Sequence, residues 1–212
     1  LAAAFLDGID GRLARALRAT SRFGAQMDSL ADIVNFGVAP ALVLYAFVLD
    51  RAGAPGWIAA LLFAIACGLR LARFNVLDED EDRPAWEAEY FVGVPAPAGA
   101  ALVLFPIYLV FLDFTLPTRL FSYFAVAFTV LVAFLLVSRL PVWSGKTFGS
   151  KVRRENVLPV ILAAMFYVLL LVNYPWSTLS LSVVAYLLFL PLSARAYAKR
   201  RESEQAKMLP HQ

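Results

Sequence analysis

The chain has 212 residues, 61% of them hydrophobic, and a mean hydropathy of +0.70. Soluble domains are about 45–50% apolar, so an excess carried in long runs reads as a polytopic membrane protein. A net charge of +3 is no argument for nucleic acid, and a single cysteine, Cys67, excludes a disulfide framework and a cysteine-based metal site.

The sequence begins without Met, in the apolar run Leu1-Ala-Ala-Ala-Phe-Leu6. That run is too short to span a bilayer, which takes about 20 residues, and it lacks the basic start and cleavage site of a signal peptide. It reads as the end of a helix whose beginning lies outside this sequence. Apolar segments follow over 1–17 (partial), 25–49, 56–76, 94–113, 117–138, 156–173 and 176–196. Breaks fall at Gly53-Ala-Pro55, between Asp113 and Pro117, between Pro141 and Gly149, and at Asn173-Tyr-Pro175. Pro40, inside the second segment, should kink it or end its regular part. Without the alternating strands of a barrel, the expected class is all-α: a polytopic transmembrane helix bundle, N-terminally truncated.

Charge orients that bundle. If the loop holding Arg12, Arg15, Arg18 and Arg22 is cytoplasmic, the alternate connections carry Arg70, Arg73 and Arg83, then Arg139, Lys146, Lys151, Arg153 and Arg154, then Arg195, Lys199, Arg200, Arg201 and Lys207. These are 17 of the 19 basic residues, and only Arg51 and Arg119 fall on the other side. The positive-inside rule therefore puts the first group in the cytoplasm. Trp57, Tyr174 and Trp176 suit the outer interfacial belt, and Trp143 the inner one.

Four aspartates occupy the ends of two apolar segments on that cytoplasmic side. Asp7 and Asp10 are three residues apart and Asp28 and Asp32 four apart, so each pair shares one face of its helix. Carboxylates are costly near a bilayer, and several that converge mark a functional site. Hard oxygen donors suit Mg²⁺, Mn²⁺ or Ca²⁺ and not zinc or copper. An acidic metal site ringed by arginines at headgroup depth suits a phosphorylated lipid: two divalent ions would neutralise a pyrophosphate, and arginines would meet further phosphate oxygens. Gly11 and Gly24 let the backbone approach a bulky ligand, and Arg15 can pair with the cluster or a phosphate. A carboxylate not fully used as a ligand can accept the nucleophile's proton.

At these positions the chain resembles the CDP-alcohol phosphatidyltransferase family. The pattern Asp-x2-Asp-Gly-x2-Ala-Arg-x8-Gly-x3-Asp-x3-Asp is matched at Asp7, Asp10, Gly11, Ala14, Arg15, Gly24, Asp28 and Asp32. The resemblance implies a membrane enzyme that moves a phosphatidyl group from a CDP-linked lipid to an alcohol and releases CMP, on a six-helix core that is commonly a homodimer. It implies two Mg²⁺ or Mn²⁺ ions held by Asp7, Asp10, Asp28 and Asp32, with Asp32 also the base that activates the acceptor hydroxyl. Asp7, Gly11, Arg15 and Gly24 would line the CDP-lipid pocket.

Further stretches are similar to the branch that uses L-serine as acceptor. They are Asp28-Ser-Leu-Ala-Asp32-Ile-Val-Asn-Phe-Gly37-Val-Ala-Pro40, Cys67-Gly68-Leu-Arg70-Leu-Ala-Arg73-Phe-Asn75, Phe91-Val-Gly93-Val-Pro95-Ala-Pro97, and the basic loop from Val137 to Lys146. Asn35 stands where that branch is expected to have Ser. The resemblance implies residues 1–150 as a core lacking its first helix and 151–196 as two added transmembrane helices. Residues 197–212 follow as a basic cytoplasmic tail. Serine is a small zwitterion, and the cations available on the correct side for its carboxylate or for phosphate are Arg70, Arg73, Arg139 and Lys146. The expected reaction joins CDP-diacylglycerol and serine into phosphatidylserine and CMP in the inner membrane, with the site facing the cytoplasm. Other acceptors or donors (glycerol 3-phosphate, inositol phosphate, choline, CDP-archaeol) share the signature. A divalent cation transporter is the alternative of another class, and it predicts carboxylates across both halves of the membrane.

Overall fold

The computed structural model describes residues 22–78, 90–114, 116, 118–143 and 154–208. The first segment, with Asp7, Asp10, Gly11, Ala14 and Arg15, lies outside them, as does Lys146. Helix α1 (Arg22–Asp32) runs into a π-helical segment (Ile33–Val38) and then α2 (Ala39–Phe47). A 3₁₀ turn (Leu49–Ala52) leads to α3 (Ala54–Asp78). After it come strand β1 (Tyr90–Val92), α4 (Ala96–Val103), α5 (Phe105–Phe111), α6 (Arg119–Val137) and strand β2 (Pro141–Trp143). Helices α7 (Arg154–Asn173) and α8 (Pro175–Met208) complete the chain. Among the described residues, four stretches are long and apolar enough to cross a membrane: Gln26–Phe47, Ala54–Val76, Arg119–Val137 and Pro175–Ala198. Ala96–Phe111 and Val157–Asn173 are shorter apolar helices. The all-α reading holds, and the protein is an integral membrane helix bundle.

Pro40 acts as its chemistry requires. It has no N–H to give Phe36, and its ring crowds the carbonyl four residues back. The helix accommodates it by widening: the Ala39 N–H donates to the Val34 carbonyl, five residues back. Regular α-helix resumes with Pro40 in the first turn of α2, where a missing N–H costs nothing. The 94–113 segment is divided in the same way. Pro106 sits at the start of α5, and the chain turns at Leu104 between α4 and α5.

Side-chain contacts fix the alternation of the helices. At one end, Ser122 Oγ near the start of α6 donates to the Val48 carbonyl at 2.7 Å, buried from solvent. At that same end Trp176 of α8 stacks on Phe111 of α5 with centroids 4.4 Å apart, and Tyr45 meets Trp57 edge to face at 5.4 Å. At the other end Asn75 Nδ2 of α3 donates to Ser29 Oγ of α1 at 3.0 Å, and Ser193 Oγ of α8 donates to the Pro141 carbonyl at 3.1 Å. Phe63, Leu44, Leu102, Val132 and Leu136 fill the centre with essentially no exposed surface. The numerous exposed Leu, Val and Phe on α3, α6 and α7 form the face that a bilayer covers.

A two-stranded antiparallel ribbon is added to the helices, pairing Tyr90 with Trp143, Phe91 with Val142 and Val92 with Pro141. Three residues per strand leave no legible alternation in the sequence. The ribbon ties the segment entering α4 to the segment leaving α6. Gly93 then turns back with φ of +79°, and its N–H donates to the Leu140 carbonyl at 2.8 Å. A Cβ at Gly93 would lie 2.7 Å from the Leu136 carbonyl oxygen and 2.9 Å from that of Ser138. Both the positive φ and the backbone clash penalise a side chain here, together by roughly 2 kcal/mol or more. Gly93→Ala should lower the thermal unfolding midpoint in detergent by at least about 4 °C, whereas Gly53→Ala, with positive φ but open space around it, should cost less.

Candidate functional site

Of the four aspartates, Asp28 and Asp32 are described, and both lie on α1 one turn apart. Asp28 is exposed and Asp32 half-buried. Gly24, one turn before Asp28, is exposed on the same helix. The order of depth is therefore Gly24, Asp28, Asp32, with Asp32 deepest and directly followed by the widened turn at Ile33–Val38. Widened turns of this kind recur at functional sites, because they redirect a helix face without ending the helix.

That redirection brings α3 close. Gly37, within the widened turn, faces Cys67: a Cβ on Gly37 would lie 3.0 Å from the Cys67 Cβ and 3.3 Å from its Sγ. Small residues permit such backbone approach between helices in a membrane. Cys67 is buried, and it serves as a compact packing residue beneath the site. Arg70 follows Cys67 by almost one turn on the same face. It is 8% exposed and lies within electrostatic reach of Asp32, Cys67 and Tyr186. A guanidinium at that depth is costly unless paired. Its Nε has no hydrogen-bond partner among the described residues.

The other candidate cations separate by environment. Arg73 is half-buried, and its Nη1 donates to the Val137 carbonyl at 2.7 Å, capping the last turn of α6. A cation on orphan carbonyls at a helix C-terminus is favourable, so Arg73 has a structural task. Arg139 is exposed just before β2. Tyr186 on α8 was not singled out by the sequence. A tyrosine at helical spacing among Val183 and Leu190 looks like core, and only the fold shows that it lies within electrostatic reach of Arg70.

Among the described residues no three His, Cys, Asp or Glu side chains gather as a metal site. Asp28 and Asp32 alone supply hard carboxylate oxygens on one helix face, a donor type that fits Mg²⁺ or Mn²⁺. Asp7 and Asp10 lie outside the described part.

A family model described as CDP-alcohol phosphatidyltransferase matches residues 1–136, and another, CDP-alcohol phosphatidyltransferase 2, matches residues 155–191. The chain is 41% identical over 192 residues to a CDP-diacylglycerol–serine O-phosphatidyltransferase of Mycobacterium leprae, covering 91% of this chain and 63% of the relative. It is 41% identical over 202 residues to the protein of that name from Mycobacterium tuberculosis, covering 92% of this chain and 67% of the relative. A Helicobacter pylori protein of the same name is 45% identical over 104 residues, 49% of this chain and 42% of the relative. The chain thus spans about two thirds of the length of the mycobacterial relatives it matches.

The contact from Arg73 to Val137 predicts a stability effect separable from chemistry. Arg73→Ala should lower the unfolding midpoint in detergent by about 2–4 °C, the equivalent of roughly 1 kcal/mol, and Arg73→Lys should recover part of it. An unchanged midpoint in Arg73→Ala would show that the α6 terminus does not depend on this cap.

Proposed function

The chain belongs to the CDP-alcohol phosphatidyltransferase family, and we propose that the whole protein transfers the phosphatidyl group of CDP-diacylglycerol to the hydroxyl of L-serine, giving phosphatidylserine and CMP. One observation carries the choice of serine: the relatives that align along more than nine tenths of this chain bear that activity in their names. The signature from Asp7 to Asp32 supports the chemistry.

The roles follow from side-chain chemistry. Asp7, Asp10, Asp28 and Asp32 would hold two divalent ions, Mg²⁺ or Mn²⁺. When bound, these supply charge neutralisation to the pyrophosphate. Gly11 and Gly24 leave room for the CDP moiety, and Arg15 provides a donor to its phosphates. Asp32 takes the proton of the serine hydroxyl. The oxygen forms a bond to the β-phosphorus, which carries the diacylglycerol, and the bond from that phosphorus to the bridging oxygen breaks. CMP departs with the electron pair. The half-burial of Asp32 suits a base shielded from bulk water, and Arg70 beside it suits an anionic substrate group.

Residues 1–150 form the transferase core in this reading, 151–196 an added helix pair, and 197–212 a basic cytoplasmic tail. The placement of 17 of the 19 basic residues on one side supports a cytoplasmic site in the inner membrane. The family likeness further implies a homodimer. A transporter would need carboxylates through both halves of the membrane; the opposite side offers Asp50 and Asp113, both exposed at helix ends.

The full-length protein in liposomes containing CDP-diacylglycerol and Mg²⁺ or Mn²⁺ should release CMP with serine at least about tenfold faster than with glycerol 3-phosphate, inositol phosphate or choline. Equal release with another acceptor would overturn the assignment of serine. Asp32→Asn should lower turnover about 10²–10⁴-fold, the worth of a positioned general base, while CDP-lipid binding persists. Near-normal turnover in that variant would remove Asp32 from the role of base.

A further inference from the structure

Two buried hydrogen-bonding groups, the Nε–H of Arg70 on α3 and the hydroxyl of Tyr186 on α8, lack a partner among the described residues. The Arg70 Nε–H can only donate, and it has no partner among the described residues. The Tyr186 hydroxyl is equally shielded and equally unmatched among them. The two side chains stand within electrostatic reach of each other, and Arg70 also reaches Asp32.

This placement is built into the fold. Val183, Tyr186, Leu190 and Ser193 recur at helical spacing on the face of α8 that packs inward. Beyond Tyr186 toward the C-terminus, Ser193 Oγ donates to the Pro141 carbonyl. On the N-terminal side, Thr178 Oγ1 donates to the Tyr174 carbonyl at 2.7 Å and approaches the Leu170 carbonyl of α7 at 3.2 Å. These contacts hold α8 on both sides of Tyr186.

Burying a cation's N–H and a phenol unmatched costs a few kcal/mol. A ligand that brings acceptors offsets that cost, and a guanidinium N–H and a phenol O–H within electrostatic reach of each other suit an oxyanion. The proposed reaction offers a carboxylate and a phosphate. Serine carries its hydroxyl and its carboxylate on neighbouring carbons, so one small molecule can set the hydroxyl at Asp32 and the carboxylate at Arg70.

Resting on the serine-transfer reading above, we propose that the Tyr186 hydroxyl and the Arg70 guanidinium together form the subsite for the acceptor's carboxylate. Tyr186 comes from the helix pair that follows the 1–136 match and lies within the 155–191 match. Tyr186 then determines specificity, since it selects acceptors that carry a carboxylate.

The test uses the full-length protein in liposomes with CDP-diacylglycerol, and reads CMP release against serine and against serinol, which lacks the carboxylate. Tyr186→Phe removes one oxygen and keeps the shape. Its KM for serine should rise about tenfold, the effect of one hydrogen bond to a charged group, with the KM for CDP-diacylglycerol within about twofold. The preference for serine over serinol should shrink by the same factor. Arg70→Lys, which keeps the charge and loses the Nε–H, should move serine KM in the same direction. An unaltered serine KM in both variants overturns the subsite while the serine-transfer reading stands. A raised KM for CDP-diacylglycerol with serine unaffected also overturns it, because the donors would then serve a lipid phosphate. A fall in unfolding temperature with unchanged kinetics overturns it in favour of packing alone. Absence of serine-dependent CMP release in the unmodified protein overturns the parent reading, and the subsite with it.

Discussion

Pro40 cannot donate a backbone hydrogen bond, and the geometry of the site follows from how the helix absorbs that loss. The Ala39 N–H reaches back to Val34, and the turn widens over Ile33–Val38. An extra residue in one turn shifts the faces of the helix before it relative to those after it. The lower part of the span can then pack through Gly37 on Cys67 while the upper part presents Asp28 and Asp32. Without the widening, one continuous face would have to serve both purposes. The absence of a Cβ at Gly37 matters for the same reason. A methyl there would meet the Cys67 Cβ at 3.0 Å and press α3 outward, and Arg70 with it.

The two arginines of α3 show how a membrane bundle treats charge by position. Arg73 lies nearer the helix end and spends a donor on the Val137 carbonyl, a backbone group that α6 leaves open at its terminus. Arg70, one turn deeper, is almost wholly buried. Long cationic side chains near a helix end ordinarily extend toward the interface. Arg70 is instead buried, within electrostatic reach of Asp32 and Tyr186. Packing alone would be served better by an apolar residue of similar volume.

The sequence made much of this legible, for identifiable reasons. Membrane spans declare themselves by length and hydropathy, and expected limits of 56–76 and 117–138 became Ala54–Asp78 and Arg119–Val137. The proline rule located the irregular turn, although not its π-helical form, because residue type says where the ladder breaks and not how it is repaired. The pairing of Tyr90–Val92 with Pro141–Trp143 was invisible, since it joins three-residue strands some fifty positions apart. Arg73 and Arg70 looked equivalent as cations at one helix end, and only their partners and depth separate them. Tyr186 was hidden by its surroundings: an aromatic residue in an apolar helix carries no sequence mark that it lies within electrostatic reach of a buried guanidinium.

The two ends of the bundle are built differently. One end is closed by aromatic contacts, with Trp176 between Phe111 and Tyr108 and Phe47 against Phe111. The buried Ser122 to Val48 hydrogen bond adds to that closure. Among the described residues the other end is held by polar links, Asn75 to Ser29, Arg73 to Val137 and Ser193 to Pro141, and it carries most of the basic residues described. The aromatic contacts keep the order of the helices at the first end. Helix α8 belongs to both ends, through Trp176 and Ser193. It is thereby anchored across the bundle.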